Sequence, residues 1–298
     1  MLNLILNLSF ALATSTPSVA NFSEEHTQWQ VWKSKNYKEA LNSPTSFLNA
    51  YSLDKARKGE SLYLSLGNSR RTTKWQKQEP KKFFIKAEHL GEKIRIQVQG
   101  KTIQYLENSK GKRRKKIELK NGAIAEVVYG KRASNMWTYL YDPDQIKTFT
   151  GFEFYPFNQS AVVEGVFKKH ESRFISYKTV QGVPTKVNQV GTVSFKLHGK
   201  EFYLPAYNWQ ESGSRLRYIA MVYTDLTGGK ETYGGGRELV VDIEGELKDK
   251  QKLTLDFNRS MNFFCAHSPF WHCPVGLQKN INVAVKAGEK LPKRKIAN

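Results

Sequence analysis

The chain has 298 residues, with 47 Lys and Arg against 27 Asp and Glu, a formal charge of +20. At 39% hydrophobic and 12% aromatic residues it can bury a core without a disulfide or metal staple. No apolar run in its body reaches the ~20 residues of a spanning helix. Collagen, coiled coil, multi-span membrane protein and disulfide-dense miniprotein are thereby excluded.

Met1 to Ala20 has the pattern of a secretory leader. Leu2, Leu4, Ile5, Leu6, Leu8, Phe10, Ala11 and Leu12 make a short apolar stretch, Pro17 breaks it, and Ser18-Val19-Ala20 offers small residues for cleavage. The expectation is export to the periplasm or the extracellular space, a mature start near Asn21 and no transmembrane span after cleavage. No Lys or Arg precedes the apolar stretch, which leaves a buried N-terminal helix or strand as the alternative.

Ser23 to Leu41 reads as an amphipathic helix. Ser23 can cap it, Glu24 and Glu25 suit its positive end, and Ser43-Pro44 stops it. Trp29, Trp32 and Tyr37 fall broadly on one side, as a docking face or a ligand-stacking face. Lys33, Lys35 and Lys38 follow toward its C-terminal end.

Beyond it the hydrophobic period changes to two. Ile94, Ile96 and Val98 alternate with polar residues, as do Val193, Phe195 and Leu197, and Leu253, Leu255 and Phe257. Thr102 to Leu106, Ile117 to Leu119, Leu216 to Tyr223, Leu239 to Glu244 and Ile281 to Lys286 are further strand candidates. His198-Gly199 suits a two-residue hairpin turn. The predicted fold is mainly β, an antiparallel sandwich or barrel-like body with an N-terminal amphipathic helix. The basic run Lys110 to Lys116 is read as a hairpin tip and as a seam between regions. The predicted organisation is a leader over 1–20, a helix with a small β region over 21–116, a larger β region over 117–292 and a basic tail over 293–298.

A charge of +20 invites a nucleic-acid reading. The cations are spread along the chain, however, and no recognised nucleic-acid module occurs. Anionic envelope polymers or lipid headgroups suit an exported basic protein better, with Lys110 to Lys116 as the handle.

Two segments could carry chemistry. Cys265 and Cys273, the only cysteines, bracket His267 and His272. The open readings are a Cys265–Cys273 disulfide, a Cys265, His267, His272 and Cys273 metal site, and free thiols including a nucleophilic Cys265. Adjacent His272 and Cys273 would struggle to address one ion, so no metal and no cofactor are predicted. The second segment, Asp225 to Arg237, holds Gly228, Gly229 and Gly234-Gly235-Gly236, which allow close backbone approach. It lacks the Lys-Ser/Thr ending of a phosphate loop. Asp225, Tyr233 and Arg237 could gather with Asp256, Asn258 and Arg259 as an anion clamp or as a structural ion-pair network.

The runs Asp225 to Leu239, Leu255-Asp256-Phe257-Asn258-Arg259, Cys265-Ala266, Cys273-Pro274 and Ala287-Gly288-Glu289 resemble, in order and spacing, the bacterial and archaeal family called domain of unknown function 1684. Phe149 to Pro156 and Trp29 to Gly67 resemble its upstream parts, which extends the resemblance over about Glu24 to Lys290. Phe263-Phe264 and Val275-Gly276-Leu277 stand where the family carries prolines, Ile281 stands where it has Arg, and His267 and His272 lie outside its pattern. The resemblance implies candidate residues but no established activity.

The leading expectation is a small or anionic ligand held by Arg237, oriented by Tyr233 and Asn258, with Asp256 fixing the arginines. An enzyme, hydrolase-like or thiol- or metal-dependent, with Asp225 or Asp256 as base or Cys265 as nucleophile, stays open beside it. The third reading is an envelope interaction protein.

Overall fold

The computed structural model describes residues 19–107, 113–130, 135–149, 151–210 and 216–292, excluding the side chains of 19–22 and 36–41. The predicted leader up to residue 18, Lys110 to Lys112 of the basic run, the side chains of Tyr37 and Lys38, and the tail 293–298 lie outside the described residues.

Helix α1 (Val19–Leu41) begins before its expected cap. Ser23 lies inside it, and its carbonyl accepts the Thr27 hydroxyl at 3.0 Å. His26 stacks on Trp29 and packs against Phe157, and Trp29 sets its edge against Phe154 at 5.7 Å. Trp32 is 42% exposed. Among the described residues no helix is long and apolar enough to cross a membrane.

Nine strands follow as a sandwich: β1 (Ala50–Ala56), β2 (Ser61–Ser65), β3 (Lys74–Gln76), β4 (Ile85–His89), β5 (Lys93–Val98), β6 (Lys101–Glu107), β7 (Arg114–Glu118), β8 (Ile124–Tyr129) and β9 (Met136–Tyr141). One sheet runs β1-β9-β8-β7, the other β3-β2-β4-β5-β6. Alternation sends Ile94 and Ile96 of β5, with Leu62 and Leu64 of β2, against Ala125, Val127 and Leu140 of the facing sheet. The seam expected at Lys110 to Lys116 is not there. β7, β8 and β9 belong to the same sheet as β1, so this unit continues to Tyr141.

The rest of the chain builds a half-barrel. Its strands are β10 (Val162–Thr179), β11 (Pro184–Leu197), β12 (Lys200–Asn208), β13 (Tyr218–Thr224), β14 (Arg237–Asp242), β15 (Gln251–Asp256) and β16 (Met261–Asn262). The order is β15-β10-β11-β12-β13-β14-β16, with β17 (Pro274–Val275) on β10 and β18 (Lys279–Asn280) parallel to β13. His198 and Gly199, with φ of 50° and 76°, make the tight turn between β11 and β12. Phe167, Val193, Phe195, Met221, Leu239 and Leu255 fill the concave side.

The predicted strand Ile281 to Lys286 is irregular backbone. Its alternation is real, because Ile281, Val283 and Val285 enter the half-barrel core, but no ladder forms along it. On the convex side a second core gathers Val187, Tyr207, Val222, Phe263, Cys265, Cys273 and Leu277. The segment after β16 therefore lies over the outside of the sheet.

The two units share a third core. Met136 and Leu140 of β9 face the sandwich interior, while Trp137, Tyr139 and Tyr141 turn to Val183 and Phe270. This explains why β9 is buried along its whole length. His272 completes the seam, with Nε2 3.2 Å from the Tyr139 hydroxyl and its ring edge-on to Trp137 at 5.2 Å.

Burial lowers the His272 pKa from 6.5, and burial is also the largest cause of the lowering at His26. The fold thus favours neutral imidazoles, whereas the unfolded chain takes up protons as pH falls through 6.5. Stability present above that pH is lost progressively below it. Urea-unfolding midpoints should fall between about pH 7.5 and about pH 5, and His272→Gln should flatten the decline. An equal slope in both proteins would remove His272 from this role.

Candidate functional site

The predicted polar residues do not meet at one place. Asp225, at the end of β13, and Arg237, at the start of β14, form an ion pair whose side chains are each 1% exposed. Arg237 Nη1 donates to the Ala287 carbonyl at 2.6 Å and Nη2 to the Val285 carbonyl at 3.0 Å, besides its bond to Asp225 Oδ2. The guanidinium lies 5.1 Å from the centre of the Tyr223 ring. Asp225 Oδ1 accepts the Thr227 N–H at 2.7 Å, the Thr227 hydroxyl at 2.5 Å and the Val285 N–H at 3.5 Å. Arg237 was expected to hold an anionic group. Its position is instead interior, with both terminal nitrogens committed to protein oxygens.

Asp256, Asn258 and Arg259 make a separate cluster. Asp256 caps the 3-10 turn Phe257–Arg259 by accepting the Asn258 N–H at 3.0 Å, and its carboxylate also takes Asn258 Nδ2 at 2.9 Å. Asn258 is fully buried. It exchanges two hydrogen bonds with the backbone of Asn158, accepting its N–H at 2.9 Å and donating to its carbonyl at 3.0 Å. Arg259 pairs with Asp256 at 3.2 Å and places its guanidinium 6.0 Å from the Trp29 ring centre. This cluster fastens α1 and the chain before β10 to the half-barrel. As bases, Asp225 and Asp256 are both already occupied as acceptors.

Tyr233 is the predicted residue that reaches an open site. With Gly234 and Gly235 it forms one wall of a cleft of about 340 Å³; Phe263, Cys273, Pro274 and Val275 form the other. Gln278 and Asn280 also line it. The glycines are required by approach. A Cβ on Gly235 would lie 2.4 Å from the Tyr233 ring, and one on Gly236, at φ 111°, would lie 2.7 Å from Gln278 Cγ. Gln278 ties the walls together. Its Nε2 donates to the Gly235 carbonyl at 2.8 Å and to the Pro274 carbonyl at 3.1 Å, and its Oε1 accepts the Gly276 N–H at 3.0 Å. Behind the cleft, Asn262 Oδ1 accepts the Tyr233 N–H at 3.0 Å.

Cys265 and Cys273 are unbridged thiols, both buried. The Cys265 N–H donates to Cys273 Sγ at 3.3 Å. A hydrogen bond between the two thiols lowers the Cys265 pKa and, together with burial, raises that of Cys273. The four-residue metal alternative is overturned, because its histidines point elsewhere. His267 Nε2 lies 2.7 Å from Glu289 Oε1, while His272 turns to Tyr139. Among the described residues no group of three His, Cys, Asp or Glu could hold a metal ion. In the basic run, Arg114 lies 3.4 Å from Glu126 and Lys116 Nζ donates to the Thr45 hydroxyl at 2.5 Å.

Sequence reasoning missed Gln278, which stands in no motif, and the role of Glu289. Glu289 is fully buried, takes the Asn262 N–H at 2.8 Å on Oε2 and pairs with His267. Its only sequence signal was the Ala-Gly-Glu run.

Removing one partner of a buried ion pair leaves the other charge desolvated. Arg237→Ala should therefore lower stability by about 3–5 kcal/mol, and Arg237→Lys should recover only part, since an ammonium lacks the planar fork. Denaturant unfolding reads this directly. A loss below about 1 kcal/mol would contradict the assignment.

Residues 147–290 match the sequence model of the family described as protein of unknown function (DUF1684). The match starts after the sandwich and covers the half-barrel, the cleft and the cysteine loop. A solution NMR structure of the uncharacterized protein from gene locus rrnAC0354 of Haloarcula marismortui is 28% identical, over 50% of this chain and 80% of that chain, with a TM-score of 0.42. No curated protein matches. Residues 147–290, which carry both the buried Asp225–Arg237 pair and the cleft, are the part of the chain that is similar to the DUF1684 family.

Proposed function

We propose that this is a binding protein whose ligand is a small, uncharged molecule seated in the cleft between Tyr233 and Cys273. One observation carries the reading. In a chain with a net charge of +20, none of the eleven residues lining the cleft is charged. The ring faces of Tyr233 and Phe263 offer apolar contact, and Gln278, Asn280 and Thr224 offer amide and hydroxyl groups. The charged motif residues first considered for an anion lie outside the cleft and hold its framework. A neutral ligand needs no counter-charge here, whereas an anion would lose its hydration for none.

The test uses labelled full-length protein and a panel of small neutral and anionic organic fragments. Neutral fragments should shift the backbone resonances of Gly234, Gly235 and Gln278. Tyr233→Ala should weaken them about tenfold or more, the loss typical of a central aromatic contact. Binding confined to anionic fragments, shifts elsewhere, or an unchanged affinity in Tyr233→Ala would overturn the reading.

The apolar stretch before Pro17 supports export of this binding protein. Material from outside the cytoplasm should then begin near Asn21, and a chain retaining Met1 would contradict it.

A further inference from the structure

The loop from Cys265 to Cys273 is closed without a covalent bond. Its ends already touch: the Cys265 N–H reaches Cys273 Sγ at 3.3 Å, and Cys265 Sγ lies 3.5 Å from the Trp271 carbonyl oxygen. The span between them is seated on both units. Ser268 Oγ donates to the Phe47 carbonyl at 2.7 Å, and Trp271 meets the Phe47 ring edge-on at 4.8 Å. His272 meets Tyr139, and Gln181 Nε2 donates to the Pro269 carbonyl at 2.7 Å. Cys273 borders the cleft, through which a small reagent can arrive.

We propose that Cys265 and Cys273 form a reversible dithiol site which low-molecular-weight disulfides oxidise, and that oxidation locks the 265–273 loop against the sandwich. The chemistry balances in two exchanges. One cysteine thiolate attacks the reagent's S–S bond, makes a mixed disulfide and releases one reagent thiol. The second cysteine, deprotonated, attacks the cysteine sulfur of that mixed disulfide and expels the other reagent thiol. Two protein thiols are oxidised and one reagent disulfide is reduced to two thiols. The thiol–thiol hydrogen bond assists the first exchange by favouring one thiolate of the pair. Preformed contacts hold the ends together for the second.

The proposal rests on the binding reading only in that oxidation alters a wall of the same cleft. The exchange itself is measured without any ligand, so either can fail alone. Full-length reduced protein is incubated with glutathione disulfide, then alkylated under denaturing conditions and weighed. The expected product has lost two hydrogens, carries no alkylatable thiol, yields a Cys265–Cys273 linked peptide and reverts with dithiothreitol. Hydrogen exchange over 266–272 should slow in the oxidised form. Cys265→Ser and Cys273→Ser should each stop at a one-glutathione adduct, and the peptide map of the unmutated protein decides the matter if a variant fails to fold. Two thiols still alkylatable after excess reagent, a stable glutathione adduct on the unmutated chain, or unchanged exchange over the loop would overturn the proposal.

Discussion

The half-barrel depends on a guanidinium buried where a strand would otherwise be needed. Residues 281–287 alternate like a strand, and Ile281, Val283 and Val285 do enter the core. Their backbone bonds to Thr224 and Leu226 at Ile281 and Val283 but forms no ladder beyond them, and buried carbonyls left unpaired cost about 1–3 kcal/mol each. Arg237 supplies the missing donors to Val285 and Ala287 from its side chain, while Asp225 balances its charge and accepts the Val285 N–H. An arginine suits this place because its planar fork addresses several acceptors at once. Burying it is tolerable only because Asp225 is buried with it.

From that pair the constraints pass outward to the cleft. Once Ala287 is fixed, Gly288 turns at φ 79° against the Ser260 and Phe257 carbonyls, and Glu289 enters the core. Its two oxygens address the Asn262 N–H and His267. Asn262 positions the Tyr233 backbone, and His267 anchors the start of the cysteine loop between the rings of Phe149 and Phe152. One wall of the cleft and the root of the other thus descend from the same buried acid. The charged motif residues act on the site by holding the elements that form it.

Much of the fold was legible because its signals are local. Alternation at Ile94 and Ile96 or at Val193 and Phe195 records a sheet with one buried face, and His198-Gly199 records a turn that needs positive φ. What failed was non-local. The basic run reads as a seam because nothing near it shows that β9 returns to pair with β1, far upstream, and brings β8 and β7 into the same sheet. Ile281 to Lys286 looked like a strand because its side chains alternate, and a pattern of side chains does not reveal which group serves the backbone. For Asp225 and Arg237 the sequence leaves an anion clamp and a structural ion-pair network open, because charge is written in a sequence and burial is not; their burial fits the second. Gln278 could not be found, since an amide that spans two loops has no spacing of its own.

The distribution of charge gives the cleft its meaning. Among the described residues the buried acids Asp225 and Glu289 each have a side-chain partner, Arg237 and His267. Its surplus of cations therefore belongs to the surface, where each is solvated and screened. A cleft without a charged lining residue in such a chain is a region from which the dominant side-chain chemistry has been excluded. Three glycines in succession and an aromatic ring folded over one of them accomplish that exclusion. A lysine or arginine at 235 would clash with the Tyr233 ring before it could reach a ligand. The same close approach that keeps charge out leaves backbone carbonyls, amide groups and aromatic rings along the cleft, so that on the binding reading proposed above a ligand would be selected by shape and hydrogen bonding rather than by charge.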